Sequence, residues 1–226
     1  RIKAANLTSY AEYMNLLARN PQEYKRLFET LGINDSVFFR DPPVWITIKY
    51  LLETLAGEKT RAGDHTLRIW SAGCGCGEEA YSMAILLQET LKPAHTHFKI
   101  ALLATDIDAS CLHIAQKAEY TRDQLSDTAV RLRAKYFLPV RNNYRLKDSA
   151  KSMVSFNTLD LGSTHYPEHQ DVILCRNTLI YFGREQQNEV LRKCHAALRP
   201  GGYLILGITE TMPSEIKHYF EDTDSN

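Results

Sequence analysis

Short apolar runs alternate with amphipathic segments along most of the chain. The runs end at glycine, aspartate, cysteine or arginine, which is typical of buried strands, and the segments between them space apolar residues as helices do. The predicted strands are 67–70, 99–104, 171–175 and 203–206, and the predicted helices between them are 78–91, 109–118 and 185–198. This alternation predicts an α/β fold with a mainly parallel sheet.

The N-terminal part of the chain has a helical pattern. Residues 7–31 predict two helices, because Ser9 and Glu12 form a capping-box sequence and Pro21 suits the first turn of a second helix. An aromatic, proline-rich linker then precedes a third helix at about 44–55. We therefore expect a partial helical region with a linker over residues 1–56 and an α/β domain over residues 65–226.

Residues 125–165 interrupt the regular alternation. A helix is expected at 128–136, followed by short strands at 144–146 and 153–157 around a polar turn. The sequence thus predicts a small antiparallel β insertion at about 138–158.

Composition limits the class of protein. The 226 residues, 44% of them hydrophobic, suit one α/β domain with a small appendage. Lys and Arg number 27 against 27 Asp and Glu, so net charge does not favour a nucleic-acid partner, although a local basic patch stays compatible with it. No apolar run approaches the roughly twenty residues that span a bilayer. Five irregularly spaced cysteines are typical of reduced thiols in the cytoplasm, and no metal site is expected.

A glycine-rich turn is the main candidate for ligand binding. Gly73, Gly75 and Gly77 follow a predicted strand and open a helix, which is the context of nucleotide-cofactor sites. Glu78 and Glu79 stand where dinucleotide-binding proteins place a pyrophosphate. Carboxylates repel phosphates and attract an ammonium or sulfonium, so this turn favours S-adenosylmethionine over NAD. Alternatively the acids only stabilise the helix N-terminus, an interpretation that suits Glu78 better than Glu79.

Other polar residues follow the predicted strands. Asp106 ends the second strand, where a carboxylate accepts ribose hydroxyls, and Asp108 is expected to cap the next helix. Arg176 and Asn177 follow a buried strand, with Tyr181 four residues further on. A helix-capping asparagine and a core tyrosine are the structural alternative for the last two.

These segments also carry a family resemblance. The matching segments are Phe38-Phe-Arg-Asp-Pro42, Ile69-Trp-Ser-Ala-Gly-Cys74 with Gly77-Glu-Glu-Ala-Tyr-Ser82, Ala104-Thr-Asp-Ile-Asp108, Cys175-Arg-Asn-Thr-Leu-Ile-Tyr-Phe182, Leu198-Arg-Pro-Gly-Gly202 and Gly207-Ile-Thr-Glu210. In this order they resemble the chemotaxis-receptor methyltransferases of the CheR type. The resemblance implies a Rossmann-like methyltransferase fold and a cytoplasmic enzyme.

The resemblance implies that the enzyme uses S-adenosylmethionine, releases S-adenosylhomocysteine and methylates glutamate side chains on the cytoplasmic helical bundle of chemoreceptors. It implies that Arg40 and Tyr181 are catalytic. The implied cofactor-binding residues are Asn34, Ser36, Arg40, Gly73, Glu79, Asp106, Asp160, Leu161, Arg176 and Asn177. A methyltransferase of another acceptor and a non-catalytic S-adenosylmethionine-binding regulatory module are the alternatives.

The sequence departs from the family pattern at several points. Ser36 replaces a threonine and keeps its hydroxyl, whereas Asp160 replaces an asparagine and loses a hydrogen-bond donor toward adenine. Some family members bind a receptor's C-terminal pentapeptide at the insertion and have a glycine-rich loop there. Residues 138–144 contain no glycine, so no pentapeptide tether is expected. From a non-methionine start, a partial N-terminal helical domain and a missing last strand, we expect either a chain truncated at both ends or an atypical member of the family.

Overall fold

The structure is a computed structural model that describes residues 1–20, 23, 26–27, 36–91 and 98–223. The chain divides into two compact units, Arg1–Asp35 and Ser36–Asn226. In the first unit, helix α1 spans Tyr10–Arg19 and begins with the expected capping box, in which Ser9 and Glu12 exchange hydrogen bonds. Most of the second expected helix, and Asn34, lie outside the described residues.

The second unit contains six α-helices and all the strands of the described part of the chain. The strands are β1 Thr66–Ala72, β2 Lys99–Asp106, β3 Glu119–Tyr120, β4 Phe137–Val140, β5 Asn143–Leu146, β6 Val154–Thr158, β7 Gln170–Cys175 and β8 Leu198–Leu206. The helices are α2 Pro42–Arg61, α3 Glu78–Thr90, α4 Ala109–Lys117, α5 Val130–Tyr136, α6 Asp148–Lys151 and α7 Arg184–Ala197. Within the described stretches, every helix is too short or too polar to cross a membrane.

Five strands form a parallel sheet in the order β6-β2-β1-β7-β8, which confirms the predicted α/β fold. From β1 the chain first builds β2 and β6 on one side, and then β7 and β8 on the other. The strand order therefore reverses between β1 and β7. Parallel sheets bind ligands at the carboxyl ends of the strands beside such a reversal.

The sheet is buried on both faces. Leu67 and Ile69 of β1 pack with α2 and α3, whereas Trp70 and Ala72 of the same strand pack with α7. This alternation explains why the strand is hydrophobic on consecutive positions. Each fully buried aliphatic side chain contributes roughly 1.5–3 kcal/mol, so the sheet is a rigid base for the loops at its edge.

The insertion differs from the sequence prediction. The small antiparallel sheet has the order β3-β5-β4 and ends at Leu146. The strand expected at 153–157 does not belong to it, because β6 pairs in parallel with β2 and extends the main sheet. The pattern of apolar residues predicts a strand but does not identify its pairing partner, and β3 is too short to be predicted.

Helix α2 is longer than predicted and runs through Gly57 to Arg61. Its last turns are anchored, because the buried Lys59 places its Nζ 2.9 Å from a carboxylate oxygen of the fully buried Asp171. The expected domain division near residue 56 therefore lies inside one helix of the second unit.

Candidate functional site

The glycine turn joins β1 to α3 at the point where the strand order reverses. The amides of Gly73 and Cys74 donate to the carbonyl of Thr105 at 2.8 and 2.9 Å, and the Gly75 amide donates to Asp106 Oδ2 at 2.8 Å. Gly73 has a φ of +80°, and a Cβ there would lie 2.7 Å from Thr178 Cγ2. The loop after β7 thus packs directly on the turn, and only glycine fits at position 73.

Asp106 ends β2 beside this turn. Its Oδ1 accepts the Asp108 amide at 2.8 Å while Oδ2 accepts that of Gly75. Each carboxylate oxygen has a second lone pair, so Asp106 can still accept hydroxyl groups. Burial raises the pKa of Asp106. Asp108 accepts the Ser110 amide at 2.8 Å and caps α4, which confirms its predicted structural role.

The two glutamates after the turn have different surroundings. Glu79 accepts the Ser71 hydroxyl at 2.7 Å and lies 3.5 Å from Arg176 Nη1. Burial raises its pKa, and Arg176 opposes that shift. Glu78 is completely buried and accepts Gln124 Nε2 at 2.6 Å, and burial raises its pKa to about 7. Glu79 therefore lies with the residues at the strand ends, whereas Glu78 is bonded to the segment between β3 and β4.

Arg176 joins the end of β7 to the linker. Its side chain is 2% exposed, and its Nη2 donates to Asp41 Oδ2 at 2.8 Å and to the Arg40 carbonyl at 3.0 Å. The guanidinium also lies over the ring of Trp45, 5.7 Å from its centroid. Arg176 Nε is buried without a hydrogen-bond partner, so the guanidinium retains a donor.

The linker is fixed by its two phenylalanines. The amide of Phe38 donates to the Gln124 carbonyl at 2.8 Å, and that of Phe39 donates to Ser82 Oγ at the same distance. The Phe38 ring is completely buried in edge-to-face contact with the rings of Tyr120 and Phe137. These contacts explain the unusual aromatic pair in the linker. They hold the next residue of the chain, whose side chain is exposed, beside the strand ends.

That residue is Arg40, and it shares an electrostatic environment with Tyr181. Burial raises the pKa of Tyr181, the positive charge of Arg40 lowers it, and the negative charge of Glu210 raises it. Tyr181 is 41% exposed on the short turn Leu179–Tyr181 after β7. The two residues implied to be catalytic therefore lie on different loops, the linker and the turn after β7, within electrostatic range of each other.

Asp160 and Leu161 lie beside Asp106. The amide of Leu159 donates to the Asp106 carbonyl at 3.1 Å, which places the segment after β6 next to the end of β2. Asp160 is exposed and accepts the Gly162 amide at 2.7 Å. Leu161 is buried, and its carbonyl accepts the Tyr166 hydroxyl at 2.7 Å.

Glu210 is a residue of this edge to which the sequence assigned no role. Its carboxylate accepts three backbone amides, those of Asn177, Leu179 and Gly207, each at 2.8 Å. The only sequence signal was the Gly-x-Thr-Glu match. Ser36 is half-buried at the start of the described linker, while Asn34 is outside the described residues.

Comparison with known proteins decides the family. The family profile described as "CheR methyltransferase, SAM binding domain" matches residues 34–226. The chain belongs to the CheR methyltransferase family. It is 30% identical over 217 residues to the chemotaxis protein methyltransferase of Borreliella burgdorferi, covering 93% of this chain and 77% of that protein. With the Escherichia coli chemotaxis protein methyltransferase it shares 32% identity over 219 residues, covering 93% of this chain and 73% of the relative.

A solved structure of the glycopeptide N-methyltransferase MtfA with sinefungin has a TM-score of 0.41 and 12% identity. The match covers 68% of this chain and 48% of that one, a likeness too weak to bear on the family. Membership of the CheR family identifies the protein as an S-adenosylmethionine-dependent methyltransferase.

The residues at the strand ends fit S-adenosylmethionine. Glu79 is a carboxylate whose ion pair with Arg176 is long, at 3.5 Å, so it can also attract an ammonium, and Asp106 retains lone pairs for ribose hydroxyls. A Cβ built on Gly75 would meet no atom within 4 Å, so the turn leaves open space beside the Asp106 carboxylate.

Proposed function

We propose that this protein transfers the methyl group of S-adenosylmethionine to glutamate side chains on the cytoplasmic helical bundle of a chemoreceptor, and that it acts in the cytoplasm. The observation that carries the proposal is the junction of the linker with the strand ends, where Arg176 donates to Asp41 and to the Arg40 carbonyl and lies 3.5 Å from Glu79. The names of the CheR relatives support the chemotaxis assignment.

The proposed cofactor contacts follow the order of the loops. Glu79 faces the ammonium of the methionine part, Asp106 accepts the ribose hydroxyls, and Asp160 with Leu161 borders the adenine. Arg176 and Asn177 line the methionine end from the loop after β7, and Gly73 lets the ligand approach the backbone. Ser36 contributes from the linker.

The chemistry requires alignment more than acid–base catalysis. S-adenosylmethionine supplies an electrophilic methyl group on a sulfonium. A glutamate side chain with a pKa of about 4.3 is already ionised at neutral pH, so no general base is needed. Arg40 orients this carboxylate, and Tyr181 donates a hydrogen bond to its non-attacking oxygen. The raised pKa of Tyr181 keeps the donating proton on its hydroxyl. Holding the reacting atoms about 3–3.5 Å apart then accelerates transfer.

The charge of the segment from α5 to α6 supports an acidic protein partner. Residues 129–151 contain seven Lys and Arg against one Asp, whereas the whole chain has no net charge. Arg131 and Lys135 on α5 are both largely exposed, although each also contacts Glu89. A basic surface attracts a segment that carries glutamates. The β4–β5 turn consists of Arg141 and Asn142 alone, which supports the absence of a pentapeptide tether.

Methyl transfer to the purified cytoplasmic domain of a chemoreceptor tests the proposal. With S-adenosylmethionine labelled in its methyl group, we expect label in the receptor that mild base releases as methanol, as an ester requires. Base-stable label would indicate N- or S-methylation of another acceptor. Binding of S-adenosylmethionine without transfer to any receptor domain would favour the regulatory module.

A further inference from the structure

The two loops that follow β7 and β8 are joined by one carboxylate. β7 and β8 are parallel neighbours whose last residues, Cys175 and Leu206, pair in register, so the loops leave the sheet side by side. Glu210 Oε2 accepts the amides of Asn177 and Gly207, and Oε1 accepts that of Leu179. All three distances are 2.8 Å, which is short for bonds to backbone amides and typical of charged acceptors.

One residue of the joined loop has a left-handed backbone conformation. Asn177 has a φ of +56°, in the left-handed region that most residues avoid. The neighbouring Thr178 packs against Gly73 of the glycine turn. A small rotation at Asn177 would therefore shift both the side chains of the β7 loop and their contact with that turn.

The backbone of Gly207 packs closely against both Glu210 and Asn177. A Cβ at this position would lie 2.8 Å from Glu210 Oε2, 3.0 Å from the Asn177 amide nitrogen and 3.1 Å from Asn177 Nδ2. The carboxylate is thus enclosed between the two loops. The negative charge of Glu210 also acts on two residues of the site, because it raises the pKa of both Tyr181 and Glu79.

We infer that Glu210 is a positioning residue for methyl transfer, which sets the loop of Arg176, Asn177 and Tyr181 through three backbone hydrogen bonds. It acts through this backbone and touches neither cofactor nor acceptor. The inference rests on the proposed function, since its main readout is the transfer of methyl groups to a receptor glutamate.

The test compares Glu210→Gln and Glu210→Asp with Glu215→Gln as the matched control. Gln has the size of Glu, but its NH₂ faces one of the amide donors, so at least one of the three bonds is lost. Glu215 lies in the same segment, is half exposed and pairs with Arg184 on the surface. We expect Glu210→Gln to lower kcat about 100-fold at saturating cofactor and receptor, as misplacement by about 1 Å does. Glu210→Asp should recover part of the rate, and the control should match wild type.

Folding is monitored by circular dichroism, and S-adenosylhomocysteine affinity is measured calorimetrically. Gly207→Ala is a second variant that keeps the carboxylate and displaces it, so it should show the same loss of kcat. Folded Glu210→Gln and Gly207→Ala proteins with wild-type kcat would overturn the inference. A kcat that falls only in proportion to the unfolded fraction of the variant would also overturn the inference. An inactive wild type would instead contradict the proposed function, because it fails before any variant is compared.

Discussion

Arg176 Nη2 lies 2.8 Å from Asp41 Oδ2, and this ion pair between a buried guanidinium and a partly exposed carboxylate ties the linker to the end of β7. Asp41 has a φ of +60° at the start of α2, so the linker turns sharply to bring its carboxylate there. The same guanidinium contacts Glu79. The pair therefore connects the part of the chain that bears Arg40 to the proposed cofactor site.

Asp41→Asn should weaken cofactor binding. The amide keeps the shape but removes the charge, and hydrogen bonds to charged groups contribute about 1.5–3 kcal/mol. Glu79 would then be the remaining carboxylate beside Arg176, and the guanidinium would compete with the ammonium for it. We expect S-adenosylhomocysteine to bind about 10- to 100-fold more weakly by calorimetry. Asp127→Asn, an exposed change in the insertion, is the control, and equal affinities of the two variants would show that the pair does not support the site.

Glu79 makes cofactor affinity depend on pH. Burial raises its pKa, so Glu79 begins to take up a proton at a higher pH than an ordinary carboxyl, and the neutral acid attracts an ammonium less. We expect the affinity for S-adenosylmethionine to fall as the pH is lowered through this raised pKa. Glu79→Gln should bind about tenfold or more weakly, and the pH dependence over the same range should disappear. Calorimetry across pH measures both, and a variant that retains the wild-type pH profile would assign the dependence to another group.

The sequence predicted the strands of the main sheet and most helices well, because burial on both faces of that sheet leaves a clear apolar pattern in residues such as Leu67 and Ile69. It also predicted that Glu79, Asp106 and Arg176 follow a strand or the glycine turn, and the structure has them there. It did not reveal the partner of β6 or the three backbone hydrogen bonds of Glu210. Both depend on contacts between distant segments, and local pattern does not encode which loops are neighbours. The length of α2 was missed for the same reason, because its end is fixed by Asp171.

Glu78 makes stability depend on pH. It is fully buried, and Oε2 has no hydrogen-bond partner within the described part of the chain. Burial raises its pKa from 4.5 to about 7. The protonated form is the one that the fold favours, so its contribution is fully present below about pH 4.5 and is lost as the pH rises through about 7. The loss amounts to roughly 3 kcal/mol by pH 8.

Glu78→Gln should therefore be more stable than wild type at pH 8 and nearly equal to it at pH 5. The amide oxygen still accepts from Gln124, and no charge is buried. Denaturant unfolding at the two pH values measures the difference. Glu89→Gln in the same helix is the opposite control, because hydrogen bonds from Lys135, Tyr136 and Arg131 outweigh burial and lower the pKa of Glu89 to about 2. Its substitution should destabilise at pH 8. A Glu78→Gln protein without a gain at pH 8 would mean that Glu78 stays protonated or hydrated there.

Arg40→Ala and Tyr181→Phe separate binding from turnover. The Arg40 carbonyl, which Ala retains, accepts from both Arg176 and Trp45, so the linker should keep its position and the cofactor should bind within a few-fold of wild type. Loss of the guanidinium removes the group that orients the attacking carboxylate, and kcat should fall about 100-fold or more, as for other preorganised polar groups. Tyr181→Phe removes one hydrogen bond to the non-attacking oxygen and should cost about tenfold. Arg192→Ala, at an exposed position on α7, is the control for loss of a positive charge. If Arg40→Ala turned over at the wild-type rate with cofactor bound, Arg40 would only cover the cofactor, and alignment of the acceptor would have to come from Tyr181 and the loop that Glu210 holds.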